Sequence, residues 1–236
     1  MQSAIKNFWH EQRRQLGFFA SLRKLLSVTF EFLRDSLPDR RRARFGDTDY
    51  DWEHRVDTTS ANVGWRVRLL GLLNSPYQPI EPALFQQIMH SLDVDFRNFT
   101  FVDIGSGKGR ALLLASEYPF LRIVGVELLP ELNQIAQENI RRFQSSHQQG
   151  PSIEAICGDA TKFKFPQGTF IVLLNNPLPP TGLRAVISNI EAALNETLRT
   201  VFVIYANPML EGVVRESHAL EKIAGTLQYA LFRSKQ

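Results

Sequence analysis

Glycines stand at every second position in Gly105-Ser106-Gly107-Lys108-Gly109. The apolar run Phe99 to Ile104 leads directly into them. Ala111-Leu112-Leu113-Leu114-Ala115-Ser116 follows almost at once. This order leaves the chain few ways to fold. The run before the glycines reads as a buried strand and the run after them as a helix start. Glycine permits the tight turn between them, and its missing Cβ lets the backbone approach a ligand closely. A buried strand, a glycine turn and a helix start make a nucleotide-type site. One acid, Asp103, interrupts the strand two residues before the first glycine.

Three readings compete for this loop. A P-loop needs Gly, four residues, then Gly-Lys-Ser/Thr. Here Val102 stands where its first glycine belongs and Gly109 where its hydroxyl belongs, so that reading fails. A dinucleotide fingerprint needs Gly-x-Gly-x-x-Gly. Here the third glycine comes one residue early, position 110 is Arg, and Asp103 would repel a pyrophosphate. The remaining pattern, Asp-x-Gly-x-Gly-x-Gly over Asp103 to Gly109, resembles motif I of the class I (Rossmann-like) S-adenosylmethionine-dependent methyltransferases. That ligand carries an ammonium and a sulfonium, so a carboxylate beside the turn makes electrostatic sense.

From residue 99 onward strand and helix patterns alternate, which predicts a parallel sheet with crossover helices. The strands read as 99–104, 121–127, 152–157, 169–174 and 200–205, with helices near 109–117, 130–142 and 181–194. Two short strand patterns, near 221–223 and 228–232, flank Gly225-Thr226 and predict a terminal antiparallel hairpin. Glu127 closes the second strand, eighteen residues after Gly109, where dinucleotide folds place the acid that accepts the ribose hydroxyls. Gly158-Asp159-Ala160 follows the third strand and Asn175-Asn176-Pro177-Leu178-Pro179-Pro180 the fourth. Ligands of open parallel sheets sit outside the carboxyl ends of the strands, so both turns are expected at the glycine loop's pocket. Cys157, inside an apolar run, reads as a packed thiol.

The ordered set Asp103 to Gly109, Glu127, Asp159-Ala160 and Asn176-Pro177 resembles the class I methyltransferases over about residues 80–236. Among them it is most similar to a group of bacterial members, with a more distant likeness to the Dot-type lysine methyltransferases, which carry Asp-x-Gly-Ser-Gly. The resemblance implies an α/β fold: a doubly wound, mostly parallel seven-stranded sheet with a terminal antiparallel hairpin. It implies S-adenosylmethionine held by Asp103, Gly105, Ser106, Gly107, Gly109, Glu127, Asp159 and Ala160, with Asp159 and the Ala160 backbone on the adenine amino group. Tyr77, an aromatic just before the core, joins that set. Asn176 and Pro177 incompletely match the Asn/Asp-Pro-Pro-aromatic motif of amino-group methyltransferases. Leu178 replaces the second proline and Pro179 the ring. A rigid structural turn is the competing reading of Asn176. The implied reaction is methyl transfer to an acceptor the sequence does not identify, an amino group of a protein or small molecule being the expectation. The alternatives are a non-catalytic cofactor-binding or scaffold protein on the same fold, and a dinucleotide oxidoreductase. Lys108 and Arg110 are expected at the rim of the loop, outside catalysis.

The rest of the chain divides by composition. Residues 1–46 hold ten Lys/Arg and four Asp/Glu, a net of +6, while the remainder nets −3. The basic arm therefore sets the pI of about 9.1, and basicity does not argue for nucleic-acid binding by the body. Phe18, Leu22, Leu25, Leu26, Phe30, Leu33 and Leu37 fall near helical spacing with Arg13, Arg14, Arg23, Lys24 and Arg34 mostly off that stripe. A basic amphipathic helix can lie on an anionic membrane surface, or pack on the domain or on a partner chain. Residues 47–80 are polar and irregular and read as a linker or a lid, and 81–236 as the methyltransferase domain. A single cysteine excludes an intramolecular disulfide and a multi-cysteine zinc site. No metal-ligand cluster is visible. No apolar run approaches a membrane span and no secretory leader stands at the N-terminus. The expected location is cytoplasmic, with peripheral membrane contact through residues 1–46 as a possible addition.

Overall fold

The computed structural model describes residues 48–59, 78–149, 152–175 and 178–235. The chain divides into two compact units. Met1–Thr48 with Thr59–Gln78 form one, and Asp49–Thr58 with Pro79–Gln236 form the other. The basic arm at 1–46 lies outside the described residues.

The sheet has seven strands. They are β1 (Thr100–Ile104), β2 (Arg122–Glu127), β3 (Ile153–Cys157), β4 (Phe170–Asn175), β5 (Val201–Ala206), β6 (Leu220–Gly225) and β7 (Tyr229–Ser234). Their spatial order is β3-β2-β1-β4-β5-β7-β6. β1 to β5 run parallel, and β7 enters antiparallel between β5 and β6. The expected doubly wound sheet and terminal hairpin are both present, with strand ends shifted by a residue or two. The helices are α1 (Thr48–His54), α2 (Pro82–Ser91), α3 (Arg110–Ala115), α4 (Pro130–Arg142), α5 (Pro180–Glu196) and α6 (Glu211–Arg215). α2, α4 and α5 each open on proline, which fixes φ near its helical value where the N–H would go unpaired anyway. α1 lies in the stretch the sequence left irregular.

Period-two alternation divides the apolar side chains between two cores. Phe101, Ile171, Leu173, Phe202 and Ile204 pack on one face with Leu84, Phe85, Ile88, Leu112 and Leu113 of α2 and α3. Val102, Ile104, Val172, Leu174, Val203 and Tyr205 pack on the other with Leu183, Val186, Ile187 and Ile190 of α5. β1, β4 and β5 are covered on both faces, so they read as continuous apolar runs. β3 is an edge strand, and Cys157 at its end is exposed rather than packed. The apolar neighbours in sequence are shared along an edge whose faces are only partly covered.

Candidate functional site

Parallel register brings five chain segments to one edge of the sheet. Ile104 lies opposite Val126 and Leu174, Glu127 opposite Cys157, and Asn175 opposite Ala206. The glycine loop, Glu127, Gly158-Asp159, Asn175 and Asn207 therefore all emerge at the carboxyl ends of β1 to β5, where open α/β sheets bind ligands.

The loop is built to turn sharply and to lie close to β2. Gly105, Gly107 and Gly109 all have positive φ, of 76°, 54° and 86°. A side chain would strain the backbone at each. The Gly105 and Ser106 amides donate to the Val126 carbonyl, and the Gly109 amide donates to the Ser106 carbonyl. The loop presses on Gly125, where an added Cβ would stand 2.8 Å from Ser106 Cβ and 2.6 Å from Leu112 Cδ1. Gly109 meets α4 in the same way, 3.2 Å from Ala136 Cβ.

Two carboxylates lie beneath the loop. Asp103 is 4% exposed and lies beside the charge of Glu127. Burial, and secondly the charge of Glu127, push its pKa up to about 8. Glu127 is 7% exposed. One of its oxygens accepts from the Gly107 amide at 2.8 Å and the other from the Leu129 amide at 2.8 Å. Burial raises its pKa, opposed by bonds from the Leu129, Gly107 and Leu128 amides. Glu127 thus ties the loop to β2 and α4, and each oxygen keeps further acceptor capacity. Ser106 Oγ is buried in the loop without a hydrogen-bond partner among the described residues. An orphaned hydroxyl and a buried carboxyl beside a glycine backbone fit a polar ligand carrying positive charge.

Asp159 sits beside this pair, where the Gly158 amide donates to the Glu127 carbonyl at 2.8 Å. Its Oδ1 accepts from Thr161 Oγ1 and the Thr161 amide, capping the turn Ala160–Lys162. Its Oδ2 lies 3.5 Å from Lys162 Nζ. The Thr161 hydroxyl, the Thr161 amide and Lys162 together lower its pKa. At the end of β4, Asn175 Oδ1 accepts from Asn207 Nδ2 at 3.0 Å. Asn207, in left-handed backbone at φ 49°, was passed over in the sequence. Its signal was an Asn-Pro pair after β5, matching the one after β4. Asn176, Pro177 and Tyr77 lie outside the described residues. Among the described residues no group of three or more His, Cys, Asp or Glu is placed to hold a metal ion. None of the described helices is long and apolar enough to cross a membrane.

Lys108 and Arg110 are not at the rim. Lys108 is fully buried and its Nζ lies 2.7 Å from Asp57 Oδ1. Arg110 is 2% exposed, with Nη2 at 3.2 Å from Asp51 Oδ1, Nε donating to Thr58 Oγ1, and its guanidinium 4.5 Å over the Tyr50 ring. Cations this close to an all-buried helix need counter-charges, and Asp57 and Asp51 supply them. Asn139 on α4 completes the arrangement. Its Oδ1 accepts from the Asp57 amide, and its Nδ2 donates to the Asp57 and Lys108 carbonyls at 2.8 and 2.9 Å. In the sequence Asp51, Asp57 and Thr58 mark only a polar stretch read as linker or lid, and Asn139 carries no signal.

Residues 101–197 match a family model described as a methyltransferase domain. No curated protein matches the chain. Several solved structures are similar. An RNA methyltransferase from Salinibacter ruber, in complex with S-adenosyl-L-homocysteine, is 18% identical with a TM-score of 0.43. The likeness covers 66% of this chain and 92% of that one. Magnesium protoporphyrin IX methyltransferase from Synechocystis, with bound cofactor, is 15% identical with a TM-score of 0.46, over 65% and 78% of the two chains. A TehB-like S-adenosylmethionine-dependent methyltransferase from Corynebacterium glutamicum is 18% identical with a TM-score of 0.45, over 75% and 98%. At such scores these proteins carry no argument about the acceptor.

Proposed function

We propose that residues 101–197, which match a methyltransferase-domain model, form a class I S-adenosylmethionine-dependent methyltransferase domain, and that this chain transfers the methyl group to an amino group of a protein or small molecule. The observation that carries the reading is the buried carboxyl of Asp103 beneath a glycine loop whose Ser106 hydroxyl has no partner among the described residues. Asp103, Ser106 and the backbone of Gly105 to Gly109 would hold the amino-acid end of the methyl donor. Glu127 would accept from its ribose, and Asp159 Oδ2 with the Ala160 amide would meet its adenine. The bound donor supplies a methyl group already activated on a sulfonium.

The chain's own residues then have to orient an acceptor in line and exclude water. An amine must be neutral to attack, so the site has to draw its proton away. Acceptor oxygens at the end of β4 suit that task. Asn176-Pro177 supports this reading by sequence, and the Asn175–Asn207 pair supports it by placing amides at the same edge.

The test is calorimetric titration of S-adenosylmethionine into wild type and Asp103→Ala, with NADH as control. Binding to wild type, loss in the variant and silence with NADH are expected. NADH binding in place of the methyl donor would overturn the reading. Labelled methyl transfer to amine-bearing and carboxyl-bearing acceptors tests the finer statement. A base-stable product supports N-methylation and a base-labile ester refutes it. Ligand binding without turnover on any acceptor would instead favour the non-catalytic reading.

A further inference from the structure

We propose that residues 49–58 are a latch that positions the cofactor loop, with Asp57, Lys108 and Asn139 as its positioning residues. The proposal rests on the reading of the loop as the methyl-donor site.

The latch is short and closed on itself. The Val56 amide donates to the Asp51 carbonyl, and the Thr58 amide donates to Asp51 Oδ2 at 2.7 Å. Arg55, in left-handed backbone at φ 56°, lets the chain double back between them. α1 is seated by His54, whose Nδ1 lies 3.1 Å from the Gln144 carbonyl and whose ring meets Phe143. From this base two acids reach two cations that flank Gly109: Asp57 meets Lys108 and Asp51 meets Arg110.

Both ends of Lys108 are therefore committed. Its ammonium goes to Asp57 and its carbonyl to Asn139, which also holds the Asp57 backbone at both its amide and its carbonyl. The amide of Gly107 is committed to Glu127. The backbone between Gly107 and Gly109 is thus set from three directions: β2, α4 and a segment about fifty residues upstream. Lys108 and Arg110 point into protein, so their part in ligand binding is indirect. Glycines alone would leave this turn many conformations, and each must be given up on binding. The latch removes that freedom beforehand. Linkage makes the effect reciprocal: whatever loosens residues 49–58 weakens the donor, and the donor tightens residues 49–58.

The test uses the full chain, with S-adenosylmethionine as probe. Asp57→Asn keeps the shape and the backbone clasp to Asn139 while removing the charge. Lys108→Met removes the ammonium and keeps the apolar stem. Each single variant is expected to bind about tenfold more weakly by calorimetry, and the double variant no more weakly than the worse single one. Hydrogen exchange of residues 105–110 is expected to quicken in Asp57→Asn, and the donor is expected to slow exchange of residues 49–58 in wild type. Wild-type affinity in both single variants, even with a lowered melting temperature, would show a merely structural pair and overturn the proposal. If Lys108→Met fails to fold, Asp57→Asn and the wild-type exchange decide. Unprotected residues 49–58 at saturating donor would overturn it. Failure of wild type to bind the donor would sink the methyltransferase reading instead, and loop exchange in Asp57→Asn would still report on the latch.

Discussion

The proposed place of Asp103 in the methyl-donor site predicts a pH-dependent cofactor binding that calorimetry can read. Burial, with the neighbouring Glu127 charge, holds its carboxyl protonated up to about pH 8 in the protein without ligand. A donor carrying an ammonium and a sulfonium favours the ionised form. Binding should therefore expel a proton. When only the ionised fraction binds well, the apparent affinity falls by that fraction. A pKa of about 8 leaves roughly a tenth of the molecules ionised at pH 7 and fewer than one in a hundred at pH 5.5, so affinity should rise about 30-fold across that window. The window also lies below the usual titration of an α-amino group, so the ligand's own charge stays constant. Titrations at neutral pH in buffers of different ionisation heat should show release of nearly one proton per donor bound. Asp103→Asn should bind weakly, with no pH slope and no proton release. The cofactor-free protein provides a companion measurement. Between about pH 4 and pH 8 its folded state keeps a proton that the unfolded chain has released, so stability is fullest at low pH and declines as pH rises through that window. Wild-type affinity flat within about twofold from pH 5.5 to 7, or an unchanged slope in Asp103→Asn, would refute the reasoning.

Two substitutions probe how the loop is seated. Gly125→Ala places a Cβ 2.6 Å from Leu112 Cδ1 and 2.8 Å from Ser106 Cβ. The Leu112 tip can swing aside but the loop backbone cannot easily follow. Overpacking should cost about 1–3 kcal/mol in a denaturant melt and weaken donor binding; an unchanged midpoint would contradict the close approach. Glu127→Gln turns an amide NH2 toward either the Gly107 or the Leu129 N–H, both of which now donate to a carboxylate oxygen. A buried unsatisfied donor should lower stability by about 1–3 kcal/mol, and wild-type stability would argue that the carboxylate does not hold the loop.

Local patterns carried most of the architecture. The strands were legible as short apolar runs between turns, and the helices α4 and α5 because each buries a face whose period shows in the sequence. The glycine loop was legible because three left-handed positions demand glycine at fixed spacing, and Glu127 and Asp159 because parallel register brings strand ends together. α1 was not legible, since its seven residues hold two aromatics, Tyr50 and Trp52, only two positions apart, among polar neighbours and so carry no helical period.

The latch was the largest omission. Lys108 and Arg110 looked like rim residues because a cation next to glycines is ordinarily solvated. Their burial depends on Asp57 and Asp51, about fifty residues away, and no local pattern encodes which acid meets which base. Cys157 was misread for a related reason: an apolar run says that a strand is buried, but not whether it lies at the sheet's edge. Gly125 looked like any strand glycine until Leu112 and Ser106 were seen packed against it.

Composition and period therefore determined the fold class and the glycine loop, because those follow from backbone sterics and the burial of short segments. Tertiary structure alone decided which acids neutralise the loop's cations and how its backbone is held. It also buried Asp103 beside Glu127. Electrostatic pairing and desolvation act between atoms that are near in space and distant in the chain.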